Sequence, residues 1–322
     1  MAAKSSSILR RALLYVPASS PRMLTKSLGL TSDNITYDLE DSVTPSAKPS
    51  ARHALQQHLT SFPSRPSSIR ELGVRINAIT TPFALADLTA LAPLATVDAV
   101  VIPKVNSASD LTFATDALRH LALSRHDPAS PDHNPIKLIA LIESARAVTD
   151  LREICAASPY LSGLIFAAED FALDLGITRS PSLSEFLYAR SAIATAARAA
   201  NLPSTIDLVC TSYRGAEGLA RLEEECRGGK GMGFNGKQCI HPSQIETVQR
   251  LFAPGEAEAE WAVRVVVADE KAAKAGRGAW TLDGAMIDAP VVGKAKSIVE
   301  KAKMCDLDVE GLRQKWKDQE PE

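Results

Sequence analysis

The chain has 322 residues, of which 45% are hydrophobic and 23% are charged, and its formal net charge is -2. This composition is typical of a folded globular protein and excludes a disordered or fibrous chain. The basic residues are dispersed and no apolar run approaches the roughly 20 residues of a membrane-spanning helix, so we expect neither a nucleic-acid nor a membrane partner.

The first residues, MAAKSSSILRR, contain no acid and are rich in Ser and Arg, which faintly resembles an organelle transit peptide. A predicted strand begins almost directly afterwards, and no secretory apolar region precedes it. The five cysteines are scattered without a C-x-x-C pair, so we predict free thiols and neither a disulfide framework nor a structural zinc site. We therefore expect a cytoplasmic protein, with a mitochondrial location as the alternative.

Short apolar or β-branched runs alternate with longer helical stretches, which predicts repeated βα units around a parallel sheet. Several of the helical stretches open with Ser, a favourable N-cap residue, and they cover residues 46–59, 107–123, 144–158 and 182–200. Eight strands with intervening helices predict an α/β fold, a TIM (β/α)8 barrel. The predicted strands are ALLYVP (12–17), NITYDLE (34–40), ELGVRIN (71–77), DAVVIP (98–103), IKLIALIE (136–143), LSGLIFAAE (161–169), PSTIDLV (203–209) and GMGFNG (231–236).

A different pattern follows Pro254. It predicts a helix from about Glu256 to Ala275, a glycine-containing joint with the sequence AGRGAWTLDGAMID, and a last helix from Val291 onward. We therefore divide the chain into a barrel domain, residues 1–253, and a C-terminal helical extension, residues 254–322, which we interpret as a lid or an oligomer arm. The charged end RQKWKDQEPE is expected to be solvated and frayed.

Nearly every predicted strand ends in an ionisable side chain. In a TIM barrel the chemistry lies at the carboxyl ends of the strands. Burying charges there is costly unless they are paired or bind a metal, so a purely structural barrel would gain nothing from this arrangement. The residues at these ends are Tyr15; Asp38, Glu40 and Asp41; Arg75; Lys104; Glu143; Glu169 and Asp170; Asp207; and Lys237.

Glu143 and Asp170 are one βα repeat apart, so neighbouring strand ends would bring their carboxylates together. Two carboxylates suit Mg²⁺, because this ion leaves its remaining coordination positions to water and substrate oxygens. The alternative is that Glu143 caps the following helix and pairs with Arg146. The second acid, one repeat later, favours the metal site.

Two basic strand-end residues also have alternative interpretations. Arg75 could grip a substrate carboxylate in a bidentate manner, or it could form an ion pair with Glu40 or Asp41. Lys104 could be the Schiff-base lysine of a metal-free aldolase, or it could neutralise the acidic cluster, which we favour.

The string GMGFNG, residues 231–236, matches the G-x-G-x-x-G pattern of dinucleotide-binding folds. That pattern should follow a strand and open a helix early in a βαβ unit, whereas here the glycines lie within the last predicted strand. The sequence therefore disfavours nicotinamide binding. Cys239 and His241 form no larger cluster, and we interpret them as structural.

Several motifs occur in order between about residues 10 and 292, and their combination resembles the citrate lyase beta-subunit-like family. This family lies within the metal-dependent aldolase superfamily that includes malyl-CoA and citramalyl-CoA lyases. The resemblance implies a TIM barrel, usually in homotrimers, that makes or breaks a carbon–carbon bond between an acyl-CoA enolate and a keto acid with Mg²⁺. The motifs are RRALLYVPASSPRML, YDLEDSVTPSAKPSAR, GVRIN, VVIPKV, LIES, GLIFAAEDFALDLG, GFNGKQCIHPSQI and GAMID.

Carried over by position, the resemblance assigns roles to individual residues. Glu143 and Asp170 match metal ligands at the substrate site, and Arg75 matches the arginine that holds the keto-acid carboxylate in catalysis. Two basic residues match positions that meet CoA phosphates in related lyases, namely Arg22 and Lys26. A last position, in GAMID, matches an aspartate that reaches a neighbouring subunit's site as catalytic acid or base, namely Asp288.

We therefore expect an enzyme that cleaves or forms a 3-hydroxyacyl-CoA such as citramalyl-CoA or malyl-CoA, with acetyl-CoA and a keto acid as partners. The alternatives are a malate-synthase-type condensation with thioester hydrolysis, the beta subunit of a citrate lyase complex, and a non-catalytic subunit. The GAMID segment favours the stand-alone enzyme. One residue departs from the family pattern: Glu169 replaces the usual small residue before the metal aspartate and places a third acid beside the site.

Overall fold

In the computed structural model, which describes residues 8–322, eight parallel strands close into a barrel. Each strand pairs with the next, and β1 pairs with β8, where Leu13 lies opposite Gln238. Most of the transit-like N-terminal segment lies outside the described residues. The predicted TIM barrel is thus confirmed. Its strands are β1 (Ala12–Pro17), β2 (Ser32–Asp38), β3 (Ile69–Arg75), β4 (Ala99–Ile102), β5 (Lys137–Ile142), β6 (Leu161–Phe166), β7 (Ser204–Asp207) and β8 (Gly236–Cys239).

The helices of the barrel surround these strands. Two predicted serine caps are confirmed, because Ser144 caps α6 through its side chain and Ser107 forms a capping box at α4. The other two are wrong, since α2 and α9 begin after Ala47 and Phe186, neither of which caps through a side chain. The predicted helix 144–158 is divided into two. The helices are α1 (Pro21–Ser27), α2 (Lys48–Thr60), α3 (Ala84–Leu91), α4 (Ala108–Leu121), α5 (Leu123–His126), α6 (Ala145–Thr149), α7 (Leu151–Ala156), α8 (Ala168–Leu175), α9 (Leu187–Ala199), α10 (Gly215–Gly231) and α11 (Ile245–Phe252).

The eighth strand was predicted too early in the chain. GMGFNG forms the end of α10 and the following turn, and β8 begins only at its last glycine. Gly233 has φ +97°, which L side chains rarely adopt. A Cβ atom on Gly236 would overlap the carbonyl oxygen of Arg10 and lie 2.7 Å from that of Arg11. These glycines therefore permit a turn and a close backbone contact, and they are not a dinucleotide fingerprint.

The interior of the barrel is an apolar cluster with a polar network at its amino-terminal end. Arg10 is fully buried and donates to both carboxylate oxygens of Glu71, at 2.6 and 2.7 Å. It also donates to Ser162 and to the Ser204 hydroxyl at 2.9 Å. Because its partners lie on β3, β6 and β7, one guanidinium joins strands across the barrel. The apolar cluster contains Leu13, Ala99, Val101, Ile139, Leu141, Ile165 and Ile206.

The chain divides into two compact units, one extending to Gln249 and the other spanning Arg250–Glu322. The second unit contains α12 (Glu256–Lys274), a hairpin of β9 (Trp280–Leu282) and β10 (Ala285–Ile287), α13 (Ala289–Met304) and α14 (Val309–Lys315). It has its own apolar core, to which α12, the hairpin and α13 contribute. Across residues 8–322, none of the helices combines the length and the apolarity needed to cross a membrane.

Two expectations for the second unit were wrong. The glycine-containing joint forms a β-hairpin, in which Gly284 and Asp283 adopt positive φ at the turn. The charged C-terminal end is not frayed, because the backbone of Glu322 exchanges two hydrogen bonds of 3.0 Å with Thr281. Trp316 also donates to Glu260 at 2.7 Å. The chain end therefore packs onto its own unit.

Candidate active site

A cavity of about 440 Å³ opens at the carboxyl ends of the barrel strands, where the sequence predicts the site. Arg75 is the one cationic side chain among the lining residues, whereas four of them are acids. The cavity is therefore acidic apart from a single guanidinium. Its lining residues are Tyr15, Pro17, Asp38, Asp41, Ser42, Arg75, Leu141, Ala167, Ala168, Glu169, Asp170, Val209, Gln238 and Ile240.

Glu143 and Asp170 follow neighbouring strands. Glu143 comes directly after β5 and is only 6% exposed, and its Oε1 accepts a hydrogen bond from the Lys104 backbone N–H at 3.2 Å. Burial and the charge of Asp170 raise the pKa of Glu143 to about 8. Asp170 lies in the first turn of α8, and burial, followed by the charge of Asp41, raises its pKa as well. The two acids therefore lie close enough to repel each other.

The arrangement fits a magnesium ion. Within residues 8–322, neither Glu143 nor Asp170 forms an ion pair, and no group of three or more His, Cys, Asp or Glu side chains could hold a metal. Two partly buried carboxylates without a basic partner can both ionise only beside a cation, and Mg²⁺ accepts one or two carboxylates together with water and substrate oxygens. The alternative role for Glu143 was wrong, because Ser144 caps α6 and Arg146 pairs with Asp150.

Arg75 lies at the end of β3 and is held on two sides. It donates from Nε and Nη2 to the two carboxylate oxygens of Asp38, at 2.7 and 2.8 Å, and its guanidinium lies 4.6 Å from the centre of the Tyr15 ring. Nη1 lies 3.2 Å from Asp41 and 3.3 Å from Glu40. The expected ion pairs are therefore present, with Asp38 as an additional and closer partner. The side chain still lines the cavity, and its hydrogen bond from Nη1 to the exposed Asp41 is the one that a substrate carboxylate could replace.

Electrostatic interactions keep both Asp38 and Arg75 charged. Burial alone would raise the pKa of Asp38, but hydrogen bonds and charge from Arg75 bring it below its usual range. Burial likewise favours neutral Arg75, but Asp38 raises the pKa of the guanidinium. Because both partners remain ionised, the orientation of Arg75 is fixed before any substrate arrives.

Lys104 neutralises the acidic cluster, as we favoured. Its Nζ lies 2.6 Å from Glu40 Oε1, while the other oxygen of Glu40 is buried without a hydrogen bond. Burial opposes the charged lysine, yet the Glu40 hydrogen bond raises the Lys104 pKa. A Schiff-base lysine needs a lowered pKa, so the ion pair with Glu40 disfavours that alternative. The residue has φ +53°, and its backbone N–H donates to Glu143.

Two lining residues received no role from the sequence. Tyr15 donates from its hydroxyl to Gln238 Oε1 at 3.0 Å, and Gln238 donates to the Phe166 carbonyl at 2.9 Å. Burial raises the pKa of Tyr15, so its hydroxyl remains protonated. The hydrogen bond to Gln238 therefore holds in place the Tyr15 ring on which the Arg75 guanidinium packs. The alternation of side chains along β8 would have indicated Gln238 if the strand had been placed in its observed register.

Not every ionisable strand end faces the cavity. Asp207 is fully buried and accepts hydrogen bonds from Arg190 of α9 at 3.0 and 2.6 Å. Lys237 is also fully buried and lies 3.0 Å from Glu225 of α10. These residues join the barrel to its surrounding helices, so the expectation that all the charged strand ends serve chemistry was wrong for them.

The remaining predicted residues lie at different places. Arg22 and Lys26 are both exposed, and their i, i+4 spacing puts them on one face of α1, directly after the end of β1. Asp288 lies in the second unit, where its side chain caps α13 by accepting from the Val291 N–H at 3.2 Å. His241 caps the short helix after β8, and Cys239 is buried, in agreement with their structural interpretation.

Comparisons with known proteins identify the relatives of this chain. Residues 11–242 match the model of the HpcH/HpaI aldolase/citrate lyase family. Citrate lyase subunit beta of Haemophilus influenzae is 37% identical over 92% of this chain and 97% of that protein. The mitochondrial citramalyl-CoA lyase of Homo sapiens is 32% identical over 92% of this chain and 86% of that protein.

The match extends to a solved structure of CitE from Mycobacterium tuberculosis in complex with magnesium, acetoacetate and coenzyme A. It covers 92% of this chain and 98% of that one, at 31% identity, with a TM-score of 0.69. The similarity thus includes the barrel and most of the second unit.

Proposed function

The chain belongs to the HpcH/HpaI aldolase/citrate lyase family, and from this premise we propose that it is a Mg²⁺-dependent carbon–carbon lyase. It cleaves a 3-hydroxyacyl-CoA such as citramalyl-CoA or malyl-CoA into acetyl-CoA and a keto acid, or catalyses the reverse reaction. The observation that carries the proposal is that Asp170 lines the same cavity as the preorganised Arg75, while Glu143, at the end of the neighbouring strand, lies close enough to Asp170 for their charges to repel.

Each residue has a distinct task in this reaction. Glu143 and Asp170 would hold Mg²⁺, which supplies Lewis acidity that lowers the pKa of the substrate hydroxyl. Arg75 binds the carboxylate of the keto-acid half, and Asp38 and Tyr15 keep its guanidinium from rotating away. Orientation of this kind lowers the activation free energy, because the entropy cost of positioning the keto acid is met when it binds.

Cleavage transfers the proton of the substrate hydroxyl to a base and leaves a thioester enolate, whose carbon must then accept a proton. We assign this proton transfer to Asp288 of a neighbouring subunit in a homotrimer, on the strength of the family resemblance. In this proposal the Asp288 carboxyl transfers the proton through its second oxygen, or it breaks its hydrogen bond to the Val291 N–H when the subunits assemble. Light scattering coupled to size-exclusion chromatography tests the assembly.

The CoA moiety is proposed to meet Arg22 and Lys26. Both side chains are exposed and neither has an acidic partner within 4.0 Å among residues 8–322, so both can contact phosphates. Replacing both with Ala should raise KM for the CoA thioester and weaken its dependence on salt, while kcat stays nearly constant. A KM equal to that of the wild type would contradict this assignment.

The central test follows CoA-thioester products by liquid chromatography. Purified protein is incubated with malyl-CoA and citramalyl-CoA in Mg²⁺ or in excess EDTA. Acetyl-CoA that appears only with Mg²⁺ supports the lyase and ranks its substrates. Release of free CoA from acetyl-CoA and glyoxylate indicates the synthase alternative instead. No turnover in folded, metal-loaded protein would move the assignment to a carrier-dependent citrate lyase subunit.

A further inference from the structure

The hairpin of β9 and β10 leads directly to Asp288 and is small. Each strand has three residues, and Ile287, the last residue of β10, lies opposite Trp280. Both of these side chains belong to the apolar core of the second unit, whereas Thr281 and Asp283, at the turn, do not. A two-stranded sheet of this size is marginally stable unless further strands or a helix support it. The place where Asp288 leaves the hairpin therefore depends on what holds these outer parts.

The last residues of the sequence support the outer edge of β9. Thr281 donates its backbone N–H to the Glu322 carbonyl at 3.0 Å, and Glu322 donates back to the Thr281 carbonyl at 3.0 Å. Two reciprocal bonds of this kind are the pattern of an antiparallel strand pair. We call residues 316–322 the C-terminal strap. Within the described residues of the second unit, the apolar core includes none from the strap, so the strap supports the hairpin from its edge.

Arg264 of α12 joins the hairpin to the C-terminal strap. Its Nη1 and Nη2 donate to the two carboxylate oxygens of Asp283 at 2.6 and 2.7 Å, which is a bidentate pair at the hairpin turn. Its Nε donates to Gln319 Oε1 at 2.9 Å, and the guanidinium lies 4.6 Å from the centre of the Trp316 ring. One planar group therefore attaches both the turn and the strap to α12.

The C-terminal strap runs along α12 before it reaches the hairpin. Trp316 donates from Nε1 to Glu260 Oε1 at 2.7 Å, and Lys271 donates to Glu320 Oε1 at 2.6 Å. Glu260, Arg264 and Lys271 share one face of the helix, because their spacing is close to whole turns. Exposed ion pairs contribute little singly. Here, however, successive strap residues are attached in the same order as their partners along α12, which fixes the register of the strap against the hairpin.

We propose that the C-terminal strap and Arg264 are positioning elements for Asp288. They fix the hairpin, and the hairpin fixes the point from which the Asp288 carboxyl reaches its substrate. The other side of Asp288 is held by the helix cap at the Val291 N–H, so the hairpin side is the one that the strap controls. This inference rests on the proposed function, because that function assigns Asp288 as acid or base. Arg264 acts through the hairpin and transfers no proton itself.

Two variants remove this support, and a third is the control. Deletion of residues 317–322 removes the backbone partner of Thr281, and Arg264→Gln removes the bidentate pair with Asp283. The control, Lys296→Gln, breaks an ion pair of 3.0 Å between α13 and α12 that involves neither the hairpin nor the strap. Hydrogen exchange measured by mass spectrometry should show that the amides of residues 280–287 exchange at least about tenfold faster in the two variants, but not in the control.

Turnover tests whether the hairpin positions Asp288. With the hydroxyacyl-CoA that the wild type cleaves in Mg²⁺, the deletion and Arg264→Gln should each lower kcat about tenfold and leave KM within about twofold, because displacing a proton-transfer group impairs the reaction more than binding. In an Asp288→Asn background the deletion should not lower the residual turnover further, since the two changes act on one step. A merely structural role would lower kcat in both backgrounds.

The outcomes separate this inference from the proposed function. If the hairpin amides exchange at the wild-type rate in both variants, or if faster exchange leaves kcat unchanged, the positioning role is overturned and the lyase stands. The inference also fails if the deletion lowers kcat by the same factor in the wild-type and the Asp288→Asn backgrounds, because the strap then acts through another group. If the folded, metal-loaded wild type cleaves no CoA thioester, the proposed function fails and the inference fails with it.

Discussion

The ionisation of Glu143 should couple the stability of the metal-free protein to pH. Burial and Asp170 raise the pKa of this carboxyl to about 8 from its ordinary value of 4.5. A group with a raised folded-state pKa contributes stability that is fully present below the unfolded pKa and is lost as pH rises through the folded one. Full ionisation above about pH 8 should therefore cost the metal-free protein roughly 5 kcal/mol at most.

Mg²⁺ should reverse this loss, because the ion requires the charged carboxylate. Near pH 7 about nine in ten Glu143 side chains carry a proton, so binding must release almost one proton. The apparent association constant should rise roughly 90-fold between pH 6 and pH 9. Titration calorimetry in two buffers with different ionisation enthalpies measures the released proton directly, and thermal unfolding with and without Mg²⁺ reports the stability.

Glu143→Gln mimics the protonated side chain and separates the two effects. The metal-free variant should have a higher Tm than the wild type at pH 9 and should gain no stability from Mg²⁺, whereas Asp132→Asn, an exposed change in the loop before β5, should behave like the wild type. An Mg²⁺ affinity that is constant from pH 6 to 9, with no proton released at pH 7, would refute the reasoning that a protonated Glu143 becomes a metal ligand.

Three further predictions concern other residues. Asp288→Asn keeps a good helix cap, so Tm and Mg²⁺ affinity should be unchanged while turnover of the CoA thioester falls at least about 100-fold; unchanged turnover removes Asp288 from the mechanism. Arg75→Lys keeps the charge but loses the fork geometry, so KM for the keto acid in condensation should rise at least about tenfold, and an unaltered KM would contradict the assigned contact. Gly236→Ala should lower the free energy of unfolding in urea by about 3 kcal/mol or more, because its Cβ atom would overlap the Arg10 carbonyl. Gly228→Ala is the control, since it has open space inside α10 and should raise this free energy by up to about 1 kcal/mol. Equal stabilities of the two variants would disprove the Gly236 contact.

The sequence predicts the barrel because several strands are buried on both faces and form apolar runs, most clearly β4, β5 and β6. β1 is predicted without error, and β2 and β3 are displaced by two residues. The prediction of the eighth strand fails because the strand is short and begins with Gly236, whose role is a backbone contact that no apolar pattern encodes. The hairpin of the second unit is not predicted for a related reason, since each of its strands has only three residues.

The direction of a side chain at a strand end is harder to predict than its position. Successive residues of a strand point to opposite sides, so an error of one residue exchanges cavity and helix-facing positions. Asp207 and Lys237 were grouped with Glu143 and Asp170 although they face the helices. Asp38 and Gln238 support the site through partners that are distant in sequence, Arg75 and Tyr15, and only the three-dimensional register reveals these pairs.

The buried network of Arg10 sets a limit on the order in which this protein can form. Its partners Glu71, Ser162 and Ser204 are 61, 152 and 194 residues away in sequence. During synthesis the guanidinium appears first and the last of these partners emerges much later, so the growing chain cannot complete the network until seven strands exist. Contacts of such long range make barrel closure a late step with a high entropy cost. Arg10, which directly precedes β1, must therefore remain accessible, with Glu71 as its only early partner among these three, until β6 and β7 arrive to complete the network.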